Sequence, residues 1–264
     1  MHREAENTMN AIILAGGIPT SEDPLYLPAN GQSKALIDIA GKPMAQWVVD
    51  AVDGANSVDR IVIVGLPADV NLRSSKPIDF LPEAEGMLAN LTAGVEHLQS
   101  IDPSIQQVLI LSCDIPTITS EMVDWRVQGA DPDSDLEYSV VEKQTMDARF
   151  PAASRSYVRL QDVEVCGGDM NVIHGRLVED TTFWERMVTA RKNPFRQAAL
   201  LGFDLLFLML IRRITIDDAV KRVSNRLGLK GRAIISPYAE IGMDVDKPHQ
   251  LEIVISDLSQ QSSD

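Results

Sequence analysis

Paired glycines and a lysine stand where a chain could handle phosphate groups. Gly16 and Gly17 follow the apolar run 11–14, and small residues after a buried strand let backbone N–H groups approach an anion closely. Lys34 lies in a loop with glycine and proline soon after them, from which its ammonium could reach phosphates held at that turn. A tight turn and a solvated surface lysine are the simpler interpretations of the same residues.

Aspartates occur directly after another apolar run and again near the C-terminal end. Asp114 follows the apolar run 108–111, and ligands of open α/β sheets collect at the carboxyl ends of strands. A carboxylate there can hold Mg²⁺ together with substrate phosphates, or it can cap the turn before Pro116. Asp244 and Asp246 are two apart in an extended segment and are expected to point to the same side. One or both are candidates to complete a coordination shell.

The elements expected to position these residues alternate between short apolar strands and helices. Strands are predicted at 11–14, 60–64, 108–111 and 137–141, and helices at 43–52, 85–98 and 120–127. Runs that are apolar on both faces are typical of central strands in a buried parallel sheet, and the alternation indicates helices on its faces. The sequence therefore predicts an α/β fold with a Rossmann-like, mainly parallel sheet sandwiched by helices.

After Pro151 the regular alternation weakens. Short strands are predicted at 163–165 and 170–173, followed by helical patterns over 177–191, 197–211 and 216–227. We therefore expect extra C-terminal helices within one domain over residues 1–264, with a helical insertion at about 177–230. The apolar segment 197–211 is too short to span a membrane; it is expected to be buried, to lie at an interface or to face an acceptor.

Composition narrows the classes of function. The formal net charge is −14, which argues against nucleic acid or an anionic membrane as the main partner, because both select clustered Lys and Arg. Two cysteines, Cys113 and Cys166, are too few for a disulfide scaffold, so the expected compartment is the cytoplasm. Gly-x-Gly-x-x-Gly is absent and Gly41-Lys42-Pro43 lacks the features of a P-loop, which disfavours dehydrogenases and P-loop NTPases.

Six short motifs follow one another along the chain: Leu14-Ala-Gly-Gly17, Lys34-Ala-Leu36, Gly41-Lys-Pro43, Cys113-Asp-Ile-Pro116, Gly167-Gly168 and Met243-Asp-Val-Asp-Lys-Pro248. Their joint order resembles that of the MobA-like NTP transferases, nucleotidyltransferases of the GT-A type. The resemblance covers roughly residues 10–175 and 233–255. It implies a GT-A-like fold, Mg²⁺ as cofactor, and transfer of a nucleoside monophosphate from an NTP to a small phosphorylated acceptor, with release of pyrophosphate.

The same resemblance implies roles for individual residues. Asp114 matches the metal-binding aspartate, and Asp244 or Asp246 matches the second metal ligand. Lys34 matches the lysine that neutralises the α-phosphate and the departing pyrophosphate, so Lys34 and Asp114 are the expected catalytic pair. Nucleotide contacts are implied for Ala15, Gly16, Gly17, Lys34, Gly86 and Asn90, and acceptor contacts for Gly168 and Asn171.

The chain also departs from the family pattern. After Gly-Gly the family continues with a Gly-Thr-Arg-like phosphate clamp, whereas residues 18–26 contain no arginine. The nucleotide, the acceptor and homo-oligomerisation are left open by the sequence. Two alternatives also stay open: a glycosyltransferase that uses a sugar nucleotide, and a nucleotide-binding module without catalysis.

Overall fold

The structure, a computed structural model that describes residues 8–179 and 203–261, is built on a nine-stranded sheet. Its strands are β1 (Met9–Leu14), β4 (Val58–Val64), β5 (Ile78–Leu81), β6 (Gln107–Ser112), β7 (Leu136–Glu142), β8 (Val158–Arg159), β9 (Glu164–Gly167), β10 (Met170–His174) and β11 (Gly231–Ser236). A separate small hairpin consists of β2 (Asp38–Ile39) and β3 (Lys42–Pro43).

Helices cover both faces of this sheet. The described ones are α1 (Tyr26–Ala29), α2 (Met44–Gly54), α3 (Met87–Ile101), α4 (Ser120–Gln128), α5 (Lys143–Arg149), α6 (Gly175–Glu179), α7 (Phe203–Leu210), α8 (Ile216–Leu227) and α9 (Pro248–Gln261). Within the described residues, no helix combines the length and apolarity needed to cross a membrane.

The sheet has a parallel half and a mixed half. Strands β5, β4, β1 and β6 lie side by side and parallel. Beyond them β10 runs antiparallel to β6 and to β7, while β11 pairs with β7 in parallel. The predicted α/β fold with a mainly parallel central sheet is therefore confirmed. Strands β5 and β11 were not predicted, because their short and partly exposed runs carry a weak apolar signal.

Two apolar clusters fill the space between the sheet and its helices. On one face Ile12 of β1 packs with Leu91 and Val95 of α3. On the other face Ile13 packs in a larger cluster that includes Val48 of α2 and Val123 of α4. Successive side chains of a strand alternate between faces, so a strand with helices on both faces has to be apolar throughout. This explains the uninterrupted apolar run of β1.

The C-terminal part confirms some expectations and resolves an ambiguous one. Helix α8 has the predicted bounds, and the Thr215 hydroxyl caps it by accepting a hydrogen bond from the Asp218 amide at 3.3 Å. In segment 251–258 the Ile and Val content favours a strand, whereas its position after Pro248 favours a helix; the structure shows it as helical within α9. Of the predicted helices 177–191 and 197–211, only α6 and α7 fall on described residues. Leu205 of α7 is buried, but Leu210 is exposed, so α7 is neither a fully buried nor a fully exposed helix.

Candidate functional site

The carboxyl ends of β1, β4 and β6 are fastened together by backbone hydrogen bonds. The Ala15 amide donates to the Val64 carbonyl at 2.8 Å, and the Cys113 amide donates to the Leu14 carbonyl at 3.1 Å. Because these strands are parallel, the residues that follow them emerge at one edge of the sheet. The turn at Gly16 and the carboxylate of Asp114 are thereby brought to that edge.

The turn after β1 approaches its neighbours so closely that it requires glycine. A Cβ on Gly65, which follows β4, would lie 2.3 Å from the Gly16 Cα, and a Cβ on Gly16 would lie 2.8 Å from Glu83 Oε1 and 3.2 Å from Asn90 Nδ2. Asn90 is buried, and its side-chain oxygen accepts a hydrogen bond from the Ala84 amide at 2.6 Å. Gly86 directly precedes α3, the helix that carries Asn90.

A cavity of about 410 Å³ opens beside this turn at the ends of β4 and β5. Its lining is largely apolar, with one carboxylate at the edge; the residues are Gly65, Leu66, Pro67, Ala68, Phe80, Leu81, Pro82 and Glu83. A flat apolar group could pack there while its polar edge meets Glu83, which is typical of small-molecule sites that combine apolar walls with few polar groups.

Lys34 is held at the site by the residue before it. The buried Ser33 hydroxyl donates to the Ala15 carbonyl at 3.0 Å and accepts from the Ala35 amide at 3.3 Å, so it caps the short 3₁₀ helix Lys34–Leu36. This cap ties the lysine segment directly to the glycine turn. A short polar side chain at the start of a helical turn commonly has this function.

The Lys34 ammonium bridges two of the predicted metal ligands. Its Nζ lies 2.5 Å from Asp114 Oδ2 and 3.2 Å from Asp246 Oδ1. Burial opposes the charge on Lys34, but the carboxylates of Asp114 and Asp246 outweigh it and raise the pKa of the lysine. Lys34 is therefore a permanent cation at the carboxyl end of β6.

The third predicted ligand contacts a different cation. Asp244 forms an ion pair with the Nη1 atom of Arg155, whose side chain is 13% exposed. Arg155 also lies against the Cys166 sulfur of β9, where it opposes the rise that burial causes in the pKa of that thiol. The two cations of the cluster thus hold different carboxylates, Lys34 those of Asp114 and Asp246 and Arg155 that of Asp244.

A fourth carboxylate joins the cluster through an irregularity between β9 and β10. Gly167 pairs with Val140 of β7, whereas Val172 pairs with Glu137 of the same strand. On the β7 side, the four residues 168–171 therefore lie opposite the two residues 138–139 and form a bulge. Within it, the Asp169 amide donates to the Ile241 carbonyl at 2.9 Å, and the Asp169 carbonyl accepts from the Ser112 amide at 3.1 Å. Asp169 is consequently positioned beside the end of β6.

The surroundings of Asp169 disfavour its charge. Burial is the main cause, Asp114 and Asp246 add repulsion, and together they raise the pKa of Asp169 to about 6, although Arg155 and Lys34 partly offset them. Among the described residues, four carboxylates therefore face two cations, and the cluster has more negative than positive charge. Such a site is suited to a further cation.

The predicted acceptor residues Gly168 and Asn171 lie in the same bulge. A Cβ on Gly168 would lie 2.9 Å from Ile241 Cγ2. The Asn171 side chain accepts from the Ser139 amide at 2.8 Å and donates to the Gly168 carbonyl at 3.2 Å. Both functional groups of the Asn171 amide are therefore engaged in holding the bulge that presents Asp169.

The carboxylate oxygens of the cluster are suited to a hard divalent cation that also binds the phosphates of a substrate. Asp114 Oδ1 is buried and, among the described residues, has no hydrogen-bond partner, which leaves one carboxylate oxygen available. No group of three side chains converges on a metal position within residues 8–179 and 203–261. Mg²⁺ in proteins is commonly bound by one or two carboxylates and by substrate phosphates, so these residues fit it.

Sequence reasoning found most of this cluster but missed two members. It named Lys34, Asp114, Asp244 and Asp246, which the structure brings together, and it missed Asp169 and Arg155. The pair Gly167-Gly168 was a usable signal for Asp169, because glycines inside a strand often mark a bulge. Nothing in the local sequence marks Arg155. Cys113, which precedes Asp114, is 1% exposed, and burial raises the pKa of its thiol.

Comparison with known proteins places this geometry among nucleotide-using enzymes. The family model of the MobA-like NTP transferase domain matches residues 11–181. The chain is 30% identical over 138 residues to a molybdenum cofactor guanylyltransferase from Serratia proteamaculans, a match that covers 49% of this chain and 59% of that protein. The chain thus spans little more than half the length of this curated relative.

Solved structures extend the likeness to the described fold as a whole. A hypothetical transferase from Thermus thermophilus is 31% identical, with a TM-score of 0.80 over 92% of this chain and 99% of that one. A CMP:2-keto-3-deoxy-manno-octonic acid synthetase complexed with CTP has a TM-score of 0.58 at 15% identity, covering 97% of this chain and 100% of that one. The second likeness concerns the fold alone.

Proposed function

The chain belongs to the MobA-like NTP transferase family, and from this premise we propose that it transfers a nucleoside monophosphate from an NTP to a small phosphorylated acceptor in an Mg²⁺-dependent reaction. One observation carries the proposal. Lys34 contacts Asp114 at the carboxyl end of β6, and the second Asp114 oxygen is buried and has no hydrogen-bond partner among the described residues. The ammonium is suited to neutralise phosphate groups, and the carboxylate oxygen is suited to bind the Mg²⁺ that accompanies them.

In the proposed reaction an anionic oxygen of the acceptor phosphate attacks the α-phosphorus of the NTP. The new P–O bond forms as the bond from the α-phosphorus to the bridging oxygen breaks, and pyrophosphate leaves with the electron pair. Because the attacking oxygen is already ionised, no general base is needed. Phosphoryl-type transfer depends chiefly on positioning and charge neutralisation.

The residues of the site divide this work between them. Lys34 neutralises the α-phosphate and the departing pyrophosphate, while Ala15, Gly16 and Gly17 bring backbone groups close to the polyphosphate. Asp114 would hold Mg²⁺ together with Asp246 or Asp244, and the bound ion would supply charge neutralisation at the phosphates. Local cations of this kind make a chain with a net charge of −14 compatible with a polyanionic substrate.

We further propose that the nucleotide base occupies the cavity beside Gly16 and that the base is guanine. Glu83 is the acidic side chain that lines this cavity. Guanine offers two adjacent donors, N1–H and the 2-amino group, to a carboxylate, whereas the other common bases place an acceptor next to each donor. The relative from Serratia proteamaculans is named a guanylyltransferase, which supports the same choice. Gly86 and Asn90 would then line the ribose and base side of the pocket.

Thermal unfolding against each NTP, with and without Mg²⁺, tests the first proposal. A nucleotide near a hundred times its dissociation constant adds about 2.7 kcal/mol, or roughly 5–10 °C in Tm. We expect an Mg²⁺-dependent shift that Asp114→Asn abolishes, and pyrophosphate release from wild type with a panel of phosphorylated acceptors. A shift only with sugar nucleotides favours the glycosyltransferase, and a shift without pyrophosphate release for any acceptor favours a binding module.

The identity of the base is tested by comparing the binding of GTP with that of ITP, whose base lacks the 2-amino group. We expect wild type to bind GTP about tenfold more tightly than ITP, since one charged hydrogen bond contributes at least about 1.4 kcal/mol. Glu83→Gln should remove this preference. Glu85→Gln is the matched control, because Glu85 is exposed and does not line the cavity. An unchanged GTP preference in Glu83→Gln contradicts the assignment.

A further inference from the structure

Arg155 is a largely buried cation, with 13% of its side chain exposed, whose presence the reaction derived above does not require. It lies in the segment between α5 and β8, and its guanidinium pairs with Asp244. Its Nε is buried and, within the described part of the chain, has no hydrogen-bond partner. A guanidinium has five N–H donors in a planar fork, so a single ion pair leaves much of its binding capacity unused.

The segment that carries Arg155 is held in a demanding conformation. Ser154, the preceding residue, has a φ of 52°, a left-handed conformation that non-glycine residues seldom adopt and that accumulates at functional sites. The Ala153 carbonyl accepts a hydrogen bond from Gln250 Nε2 at 3.4 Å, and Gln250 Oε1 accepts from the Asp246 amide at 3.1 Å. One buried glutamine thus fixes the position of Arg155 relative to the aspartate segment.

Lys34 and Arg155 reach the carboxylates from different parts of the sheet. Lys34 is tied to the turn after β1 through Ser33, on the side of the base cavity. Arg155 lies against Cys166 of β9, and β9 is separated from β1 by β6, β10 and β7 in the sheet order. The carboxylates of Asp114 and Asp169 lie at the end of β6 between these two supports.

This arrangement matches the charge requirement of an in-line transfer. The attacking and leaving oxygens lie on opposite sides of the α-phosphorus, so the incoming phosphate arrives on the side away from Lys34 and the pyrophosphate. It also arrives beside the carboxylates of Asp169 and Asp244, which repel it. An anionic acceptor therefore needs a cation on that side, and Arg155 is the cation that the described residues provide there.

We propose that Arg155 binds the phosphate group of the acceptor, with Asp244 holding the guanidinium in place until the acceptor arrives. The proposal rests on the proposed function. In this arrangement the Arg155 guanidinium binds the acceptor, whereas Lys34 and the metal site would bind the nucleotide. Guanidinium groups suit this task because they bind phosphate in a bidentate manner.

The test uses inorganic phosphate as the probe, added to the full chain saturated with Mg²⁺ and α,β-methylene-GTP, whose α–β bond cannot be broken. Thermal unfolding gives the phosphate affinity of wild type, Arg155→Gln, Arg155→Lys and the control Arg159→Gln, which removes an exposed arginine of β8. We expect Arg155→Gln to weaken phosphate binding at least tenfold, Arg155→Lys to retain part of it and Arg159→Gln to leave it unchanged. Unchanged affinity in Arg155→Gln overturns the proposal.

A second measurement distinguishes phosphate binding by Arg155 from a purely structural role of Arg155. It follows Mn²⁺ binding by electron paramagnetic resonance in the absence of nucleotide. Removing a positive charge beside Asp244 makes the carboxylate cluster more negative, so Arg155→Gln should bind Mn²⁺ at least as tightly as wild type. Weaker Mn²⁺ binding in that variant would mean that Arg155 only positions Asp244, and would overturn the proposal. Should Arg155→Gln fold poorly, Arg155→Gln/Asp244→Asn removes both charges of the pair and is compared with Asp244→Asn in the phosphate titration.

The outcomes also distinguish this proposal from the one on which it rests. If neither α,β-methylene-GTP nor the corresponding analogues of the other NTPs stabilise wild type, the proposed function fails and the acceptor role fails with it. If another analogue stabilises it, only the choice of guanine fails, and the phosphate titration is made with that analogue. If the nucleotide stabilises wild type and Arg155→Gln equally, and Arg155→Gln binds phosphate more weakly than wild type, both proposals stand. If the nucleotide binds both proteins and their phosphate affinities are equal, only the proposed role of Arg155 fails.

Discussion

Two buried clusters of opposite charges sit at different places in the sheet and differ in how completely their oxygens are paired. Glu137 of β7 is fully buried, with Oε2 lying 2.8 Å from Arg126 and Oε1 lying 2.8 Å from Arg232 and 3.0 Å from the Asp131 amide. Asp114 is also buried, but of its two carboxylate oxygens only Oδ2 has a partner among the described residues, the Lys34 ammonium.

The difference lies in how many carboxylate oxygens face a cation. A buried charge is tolerated when it is paired, and each Glu137 oxygen has an arginine within ion-pair distance, although Oε2 forms no hydrogen bond among the described residues. Asp114 is paired only in part, because Asp246 shares its lysine and Asp169 adds repulsion. An oxygen that faces no cation, on a buried carboxylate at a strand end, therefore supports the proposal that Asp114 binds a metal ion.

The largest expected effect follows from removing Arg126, the buried cation that pairs with Glu137. Arg126→Met leaves Glu137 buried beside an apolar side chain, and removal of one partner of a buried pair typically costs about 3–5 kcal/mol. Urea unfolding should show this loss of stability. Arg232→Met is the comparison, because Arg232 is 45% exposed and its removal should cost much less. Similar losses in the two variants would contradict the distinction.

Next in size is the effect of opening the bulge that presents Asp169. Asn171→Ala removes the acceptor of the Ser139 amide and the donor to the Gly168 carbonyl. An unsatisfied buried amide costs about 1–3 kcal/mol, so we expect a loss of that size in chemical denaturation. Because Asp169 then loses its fixed position, Mn²⁺ binding should weaken as well. Unaltered Mn²⁺ affinity would show that the bulge does not contribute to metal binding.

A cap remote from both clusters gives a reference for an ordinary contact. Thr215→Ala removes the hydroxyl that accepts from the Asp218 amide at the start of α8. Loss of such a cap typically costs about 1 kcal/mol, which a shift in the urea midpoint can measure. Thr215→Ser, which keeps the hydroxyl, should restore nearly all of it. Nucleotide stabilisation should not change in either variant.

The smallest effect on stability is expected for the incompletely paired carboxylate itself. Asp114→Asn loses one ion pair with Lys34 but also removes repulsion from Asp169 and Asp246, so the free energy of unfolding should change by less than about 1 kcal/mol. The same variant should lose its Mg²⁺-dependent nucleotide shift. A loss as large as that of Arg126→Met would place Asp114 among the structural charges.

Much of the fold was predictable because its signals are local. Strands β1 and β6 are short apolar runs, and α8 begins at a Thr cap and has the predicted bounds. Strand β11 escaped prediction because it is half-exposed and is defined by its pairing with β7, which lies far away in the sequence. Segment 251–258 stayed ambiguous because its Ile and Val content favours a strand, whereas packing made it part of a helix.

The candidate site shows the same division between features with a local sequence signal and features set by long-range contacts. The sequence by itself indicated most of the candidate residues, since Gly16-Gly17 and Asp114 each follow an apolar run of the sheet, and Lys34 lies in a loop with glycine and proline after the first of them. Only the tertiary structure decided which charges pair, because Lys34–Asp246 and Arg155–Asp244 join residues that are far apart in the chain. Coulombic pairing and burial depend on distances in space, and spacing along the sequence does not encode those distances.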